Sequence, residues 1–168
     1  HQTHPVVAAI RASDELWPAA LVLCPEPIEQ GEKELVSAHA ARLCASLGVD
    51  GAILTKEGGG NADADVSLKM DLLEEEGVTA VGIFAEMAGR DGTGPSLVVP
   101  PAKATAMVSA GNYDEVLTLP GCDRALGREQ IALLDDRPST DEIELPAAAV
   151  LCALSPLGWG RLTCYEAA

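Results

Sequence analysis

The sequence predicts a single α/β domain over residues 1–168: a three-layer sandwich with a mostly parallel sheet, Rossmann- or flavodoxin-like. Short apolar runs alternate with longer segments of helical periodicity, which is the pattern of right-handed β–α–β units. Hydrophobic residues make up 48% of the chain but aromatic residues only 3%, as expected for aliphatic helices on a buried sheet. A chain of 168 residues supplies one well-filled core but not two.

The first half of the chain is expected to contain two strand–helix units. A buried strand is predicted at residues 17–24 (WPAALVLC), and a helix at 28–47 that ends at Gly48. The apolar residues of that helix that are expected to face inward are Val36, Ala40, Leu43 and Leu47. A second strand is predicted at 51–55.

The second helix is expected at residues 61–76, with Asn61 or Asp63 as its cap and Gly77 as its end. Its inward-facing residues are expected to be Ala62, Val66, Met70 and Leu73. A third strand follows at 79–85.

The remainder is less regular. Two short strands are predicted at 106–110 and 116–119, a helical turn at 128–134 and an acidic loop at 135–142. Residues 1–14 are expected to form an N-terminal arm. The apolar tail, residues 147–168, is expected to begin as a helix and to contribute to an interface.

Charge and composition exclude several classes of function. The formal charge of −15 and the absence of a basic patch argue against nucleic-acid binding, which needs clustered Lys and Arg. No apolar run has the roughly 20 residues of a membrane span. The five cysteines lack CxxC or metal-ligand spacing, which predicts a reducing, cytoplasmic environment and no zinc site.

The junction after the second strand, TKEGGGNADAD, carries the strongest site signal. Gly58, Gly59 and Gly60 run into a helix N-terminus, where backbone N–H groups can hold an anion, with Lys56 and Asn61 beside them. The spacing matches neither a P-loop nor GxGxxG, so a small carboxylate is the expected ligand rather than a nucleotide. The alternative is an ordinary glycine-rich turn.

Acidic residues are expected at the same edge of the sheet. Glu57 and Glu86 end neighbouring strands and Asp91 follows in a loop, so these carboxylates could transfer protons or bind a substrate ammonium group. The alternative for each is a solvated loop charge. Cys24, at the end of the first strand, and Cys122, which is expected to be exposed, are the candidates if the protein is instead a thiol enzyme.

Several segments in a fixed order resemble one family. The segments EGGGNADADVSLKMDLLEEEGVTAVGIFAE, AGRDGTGPSL, AMVSAGNYDEVLTLPGCDRALG and LGWGRLT are similar to the proprotein subunits of glycine/sarcosine/betaine reductase component B and of D-proline reductase. The likeness is to the downstream fragment that such a precursor releases when it cleaves itself at an internal cysteine.

The resemblance implies a covalent pyruvoyl group at or just before His1. Such a ketone would form a Schiff base with a substrate amine, and a selenol or thiol on a partner subunit would then attack carbon and break the C–N bond. The upstream precursor fragment would be a second partner. Neither Cys nor Ser stands at position 1, so the pyruvoyl group would come from a residue before His1. The chain has no selenocysteine, so the attacking group would belong to another chain.

The roles implied for this chain follow from position. The carboxylate-binding set is Lys56, Gly58, Gly59, Gly60 and Asn61. The proton-handling set is Glu57, Glu86 and Asp91, with His1 and His4 near the electrophile. The alternative function is a non-catalytic α/β subunit that binds a small acid or holds partners together.

Overall fold

The computed structural model describes residues 4–56, 60–95, 97–104, 106–126, 129–131, 134 and 136–151. The elements in chain order are α1 (Pro5–Ala12), α2 (Gln30–Ser46), β1 (Gly51–Leu54), α3 (Asn61–Glu75), β2 (Thr79–Glu86), β3 (Ala106–Asn112), β4 (Val116–Leu119), β5 (Gln130–Ile131), β6 (Arg137–Pro138), β7 (Ile143–Pro146) and α4 (Ala147–Leu151). No helix in these described ranges has the length and apolarity to span a bilayer.

A parallel three-stranded sheet organises the fold. β1 pairs with β2 and β2 with β3, both in parallel, with α3 as the crossover helix between β1 and β2. The predicted α/β class is therefore confirmed, as are the strands expected at 51–55, 79–85, 106–110 and 116–119. Two antiparallel pairs, β4 with β7 and β5 with β6, follow the sheet.

The core lies between α3 and the sheet. The four residues expected to face inward on α3 are all buried, at 4% exposure or less: Ala62, Val66, Met70 and Leu73. Val66, Met70 and Leu73 pack with buried residues of β2, including Ala80 and Phe84. Gly82 lies between these two, and a Cβ there would come within 2.4 Å of the Phe84 ring and 3.1 Å of Met70 Sδ. The helix therefore packs tightly against the middle strand.

The face of α2 that turns inward differs from the expectation. Leu43 and Leu47 are 47% and 49% exposed, whereas the buried residues are Lys33, Ser37 and Ala41. These three share one face at i, i+4 and i+8. The helix packs mainly on α3 rather than directly on the sheet, and an ion pair between the helices turns the lysine inward. Gly48 ends the helix at φ +67°, as expected.

The prediction of a strand at residues 17–24 is wrong. This segment is assigned no strand, and Trp17 and Leu23 are 95% and 78% exposed. A strand exists only where a neighbour accepts its ladder hydrogen bonds. Within the described residues, no backbone hydrogen bond joins this segment to β1, so apolar composition alone did not produce a strand.

The ends of the chain also differ from expectation. The N-terminal arm contains helix α1. The prediction of a helical turn at 128–134 is wrong for Gln130–Ile131, because these two residues form strand β5. The acidic loop at 135–142 contains the two residues of β6. The tail begins as helix α4, as expected. Residues 152–168 lie outside the described residues.

Candidate functional site

A cavity of about 1410 Å³ runs along the whole of β1 and reaches the carboxyl ends of β2 and β3. Its other walls come from α1, the extended segment before α2, and residues of α2 and α3. Ligands of open α/β sheets bind at this edge. The polar side chains that line the cavity include His4, Cys24, Glu26, Lys56, Lys69, Asn112 and Tyr113.

A buried ion pair connects the strand end to the helix start. Lys56 lies two residues after the end of β1, and Asp63 lies in the first turn of α3. Lys56 Nζ is 2.5 Å from Asp63 Oδ1, and both side chains are 1% exposed. The ammonium also lies 5.2 Å from the centroid of the Phe84 ring and 5.7 Å from that of Tyr113, distances typical of cation–π contact.

This geometry gives Lys56 a carboxylate partner from the protein itself. Asp63 also accepts a 3.4 Å hydrogen bond from the Val98 N–H, so it connects α3 to the loop before β3. The positive end of the α3 dipole also stabilises the Asp63 carboxylate. The assignment of Lys56 to a substrate carboxylate stays a prediction, but Asp63 is its principal partner in this structure.

A second buried pair involves Asp65, two residues further along α3. Lys33 Nζ, from α2, is 2.9 Å from Asp65 Oδ2, and the two side chains are 6% and 1% exposed. Asp65 Oδ1 and the Ser37 hydroxyl are buried, and neither has a hydrogen-bond partner among the described residues. Lys69, also in α3, is 9% exposed and lines the cavity. The interior beside the cavity is therefore unusually rich in charge.

Sequence reasoning missed this charged cluster. The prediction that Asn61 or Asp63 caps α3 is wrong, because the N-cap is Gly60 and no side chain makes a cap hydrogen bond. The available signal was that Lys33, Ser37 and Ala41 share one face of α2 while two aspartates two residues apart begin α3. Polar residues at helical spacing opposite paired carboxylates indicate a buried interhelical ion pair.

Glu26 and Cys24 lie on the wall contributed by the extended segment. Burial, and then the nearby Asp65 carboxylate, raise the pKa of Glu26, although the three buried lysines act in the opposite direction. Burial also raises the pKa of the Cys24 thiol, and Lys69 offsets only part of this effect. A raised thiol pKa leaves little thiolate at neutral pH, which argues against Cys24 as a nucleophile.

Glu86 and Asp91 are not among the residues that line the cavity. Glu86 Oε1 accepts a 2.9 Å hydrogen bond from the Ser109 hydroxyl. Asp91 is exposed and accepts hydrogen bonds from the Thr93 N–H and hydroxyl, which lower the pKa of its carboxyl group. The structure therefore gives both residues local partners, and their proton-handling roles stay predictions.

The loop that carries Asp91 is attached to the end of β3. The Asn112 amide accepts from the Ala88 N–H at 3.2 Å and donates to the Gly89 carbonyl at 2.7 Å. Asp114 Oδ2 accepts from the Gly89 N–H at 3.0 Å. These bonds fix the loop at the strand edge without directing its acidic residue into the cavity.

Of three further predicted residues, His4, Gly60 and Asn61, only His4 lines the cavity. His4 also caps α1, because its Nδ1 accepts from the Val6 N–H at 3.3 Å; burial lowers the pKa of the imidazole. Gly60 has φ +70°, which glycine adopts without strain. The Asn61 amide donates to the Pro27 carbonyl at 3.3 Å and so joins α3 to the extended segment.

The remaining predicted site residues, His1, Glu57, Gly58 and Gly59, lie outside the described residues. Residues 24–27 and the β1 end meet at the cavity, through Cys24, Glu26 and Lys56. Residues 86–92 do not line the cavity. In the described part of the chain, no three His, Cys, Asp or Glu residues are arranged as metal ligands.

Taken together, these observations define an α/β domain with a cavity beside its parallel sheet, next to buried lysine–aspartate pairs. The chain belongs to the family of glycine/sarcosine/betaine reductase component B subunits, whose family model matches residues 1–164. No solved structure gives a significant match.

Curated relatives agree with this family. The chain is 34% identical to the glycine reductase complex component B subunits alpha and beta of Peptoclostridium acidaminophilum, over 97% of this chain and 40% of that protein. It is 42% identical to the betaine reductase complex component B subunit alpha of the same organism, over 80% of this chain and 34% of that protein. The chain thus spans about two fifths or less of the length of these relatives.

Proposed function

We propose that this chain is part of a reductase-complex subunit that cleaves the C–N bond of an amino acid or related small amine. The observation that carries the proposal is the family match over residues 1–164, together with relatives named as glycine, betaine and sarcosine reductase components. All three named compounds are small and combine a carboxylate with a nitrogen. The cavity is large enough to admit such compounds, and Lys69 in its wall suits their carboxylate charge.

The chain's own residues have distinct roles in this proposal. The pair of Lys56 and Asp63 holds the β1 end and α3 together at the cavity wall. Glu26 supplies an acidic group on the opposite segment, which can face a cationic nitrogen. The apolar part of the wall, which includes Leu54 and Phe84, lowers the local dielectric constant and so strengthens these electrostatic contacts.

A pyruvoyl group at or just before His1 is the proposed cofactor. One observation fits it: His4, the first described residue, lines the cavity, so the N-terminal end of the described chain reaches the proposed site. When present, such a ketone supplies an electrophile and an electron sink for a substrate amine. We expect the chain isolated from its natural complex to gain mass on treatment with hydroxylamine, and an unchanged mass together with a free α-amine would exclude this cofactor.

The proposed partners are a subunit that carries a selenol or thiol and the upstream fragment of the precursor, in the cytoplasm. Support comes from three large side chains of the N-terminal region that are mostly exposed, namely Trp17, Leu23 and Ile28, at 95%, 78% and 85%. Exposed apolar groups of this size mark interaction surfaces. We expect Trp17→Ser to weaken association with the rest of the complex in sedimentation velocity, whereas Val98→Ser, which is 62% exposed and lies outside the N-terminal region and the cavity wall, should not.

The test of the activity is release of amine by the reconstituted complex. Labelled glycine, sarcosine and betaine should each be supplied with a thiol reductant, and the released amine identified by mass spectrometry. We expect reductant-dependent release from at least one of them. If a carboxylate binds but no amine is released, the chain belongs to a non-catalytic, small-acid-binding subunit instead.

A further inference from the structure

Lys69 differs from the other two buried lysines. It projects from α3, is 9% exposed and lines the cavity. Its ammonium donates one long hydrogen bond, 3.4 Å, to the Asp65 carbonyl oxygen. Lys33 and Lys56 each have a carboxylate partner, whereas the ion pairs of the described residues include none with Lys69.

Among the described residues, no carboxylate forms an ion pair with this ammonium, although the Glu26 carboxylate is near enough for Lys69 to lower its pKa. A lysine has three N–H donors, and only one of those of Lys69 has an acceptor among the described residues. Asp65 Oδ2 is bound by Lys33, and Asp65 Oδ1 makes no hydrogen bond to Lys69. A buried charge without a partner is costly, so this arrangement indicates a site that an anion from the cavity completes.

We infer that Lys69 binds the carboxylate of a small ligand inside the cavity. Two free donors on one ammonium suit a carboxylate, and charge-assisted hydrogen bonds in a desolvated site are strong. Glu26, on the facing segment, is available to the cationic end of a zwitterion. The inference rests on the proposed function only in its choice of amino acids as ligands, and it assigns the carboxylate to Lys69 instead of Lys56.

The first test varies the ligand. Acetate, glycine and glycine betaine should be titrated into the whole chain by calorimetry, with choline as the control because it has the quaternary nitrogen but no carboxylate. We expect at least one carboxylate to bind at least tenfold more tightly than choline. If choline binds as tightly, or if no carboxylate binds to the folded protein, the inference is wrong.

The second test varies the protein. Lys69→Met keeps most of the apolar stem but removes the charge, and we expect it to raise the Kd for the carboxylate at least tenfold. Lys103→Met is the matched control, because Lys103 is exposed, pairs with Glu75 and does not line the cavity. Equal affinity of the Lys69→Met variant and the wild type would refute the inference.

A third measurement covers the case in which Lys69→Met does not fold. In wild-type protein with isotope-labelled lysine, the NMR signals of the Lys69 side-chain terminus should shift on titration with glycine, while those of Lys103 stay in place. No shift at Lys69 would refute the inference. These results are independent of turnover, so a complex that binds carboxylate at Lys69 but releases no amine would refute the proposed reductase activity alone.

Discussion

Replacing Lys56 by Met tests the energetics of the buried pair. Its ammonium lies 2.5 Å from Asp63 Oδ1 with both side chains 1% exposed. At that distance and an effective dielectric constant of about 20, Coulomb attraction is about 6–7 kcal/mol, much of which offsets the desolvation of the two charges. Removal of the lysine leaves a buried carboxylate without this partner, so we expect a loss of about 3–5 kcal/mol of unfolding free energy.

The double variant Lys56→Met/Asp63→Asn separates the charge effect from lost packing. The asparagine keeps an acceptor for the Val98 N–H but carries no charge, so the double variant should be more stable than Lys56→Met alone. Arg42→Met is the matched control, because the Arg42–Glu76 pair is 3.8 Å apart and 70% and 42% exposed. Surface pairs of this kind contribute about 0–1 kcal/mol.

Urea unfolding followed by circular dichroism measures all four proteins, with the m-value as a check that the unfolding transition is comparable. A Lys56→Met variant within about 1 kcal/mol of the wild type, as for the exposed control, would refute the argument that this pair is desolvated. A double variant less stable than Lys56→Met would show that packing, and not charge, explains the loss.

Three further predictions concern packing, pH and thiol reactivity. Gly82→Ala should lower the unfolding free energy by about 1–3 kcal/mol, because its Cβ would come within 2.4 Å of the Phe84 ring. Gly31→Ala is the control and should not destabilise the protein, because a Cβ there would meet no atom within 4 Å. Equal urea midpoints for the two variants would contradict this prediction. Burial tends to raise the pKa of Asp71, but hydrogen bonds from the N–H groups of residues 102–104 more than offset it, so the folded-state pKa is lowered. The Asp71 carboxylate therefore contributes stability above its unfolded-state pKa of about 3.9, and this contribution is lost as the pH falls through the folded-state pKa. In the Asp71→Asn variant, the unfolding free energy should therefore change less with pH below about pH 4. An unchanged pH dependence would count against this prediction. Iodoacetamide should label exposed Cys122 before Cys24, because burial raises the pKa of the Cys24 thiol. The order of labelling is measured by mass spectrometry of the peptides, and the reverse order would contradict the assigned exposures.

The parallel sheet was predictable because its strands carry a local signal. Apolar runs such as Thr79–Glu86 are bounded by glycine and charged residues, and burial on both sides favours continuous hydrophobic sequence. The inward face of α3 was predictable for a similar reason, since its apolar residues repeat at helical spacing and pack on one surface.

The features that sequence alone did not predict depend on partners distant in the chain. Residues 17–24 have the composition of a strand but lack a described neighbour for their backbone groups. The face of α2 turned inward because Lys33 pairs with Asp65, 32 residues away. In the candidate site, Lys56 was predicted at the strand end, but its pairing with Asp63 and the position of Lys69 become visible only when α3 packs beside β1.

The central claim is that a small amino acid binds in the cavity between α3 and the extended segment. An experimental structure of the complex with glycine or glycine betaine bound tests it most directly. The claim predicts a ligand carboxylate oxygen at about 2.7–3.2 Å from Lys69 Nζ. A ligand bound elsewhere, or a protein carboxylate that already occupies Lys69, would contradict it.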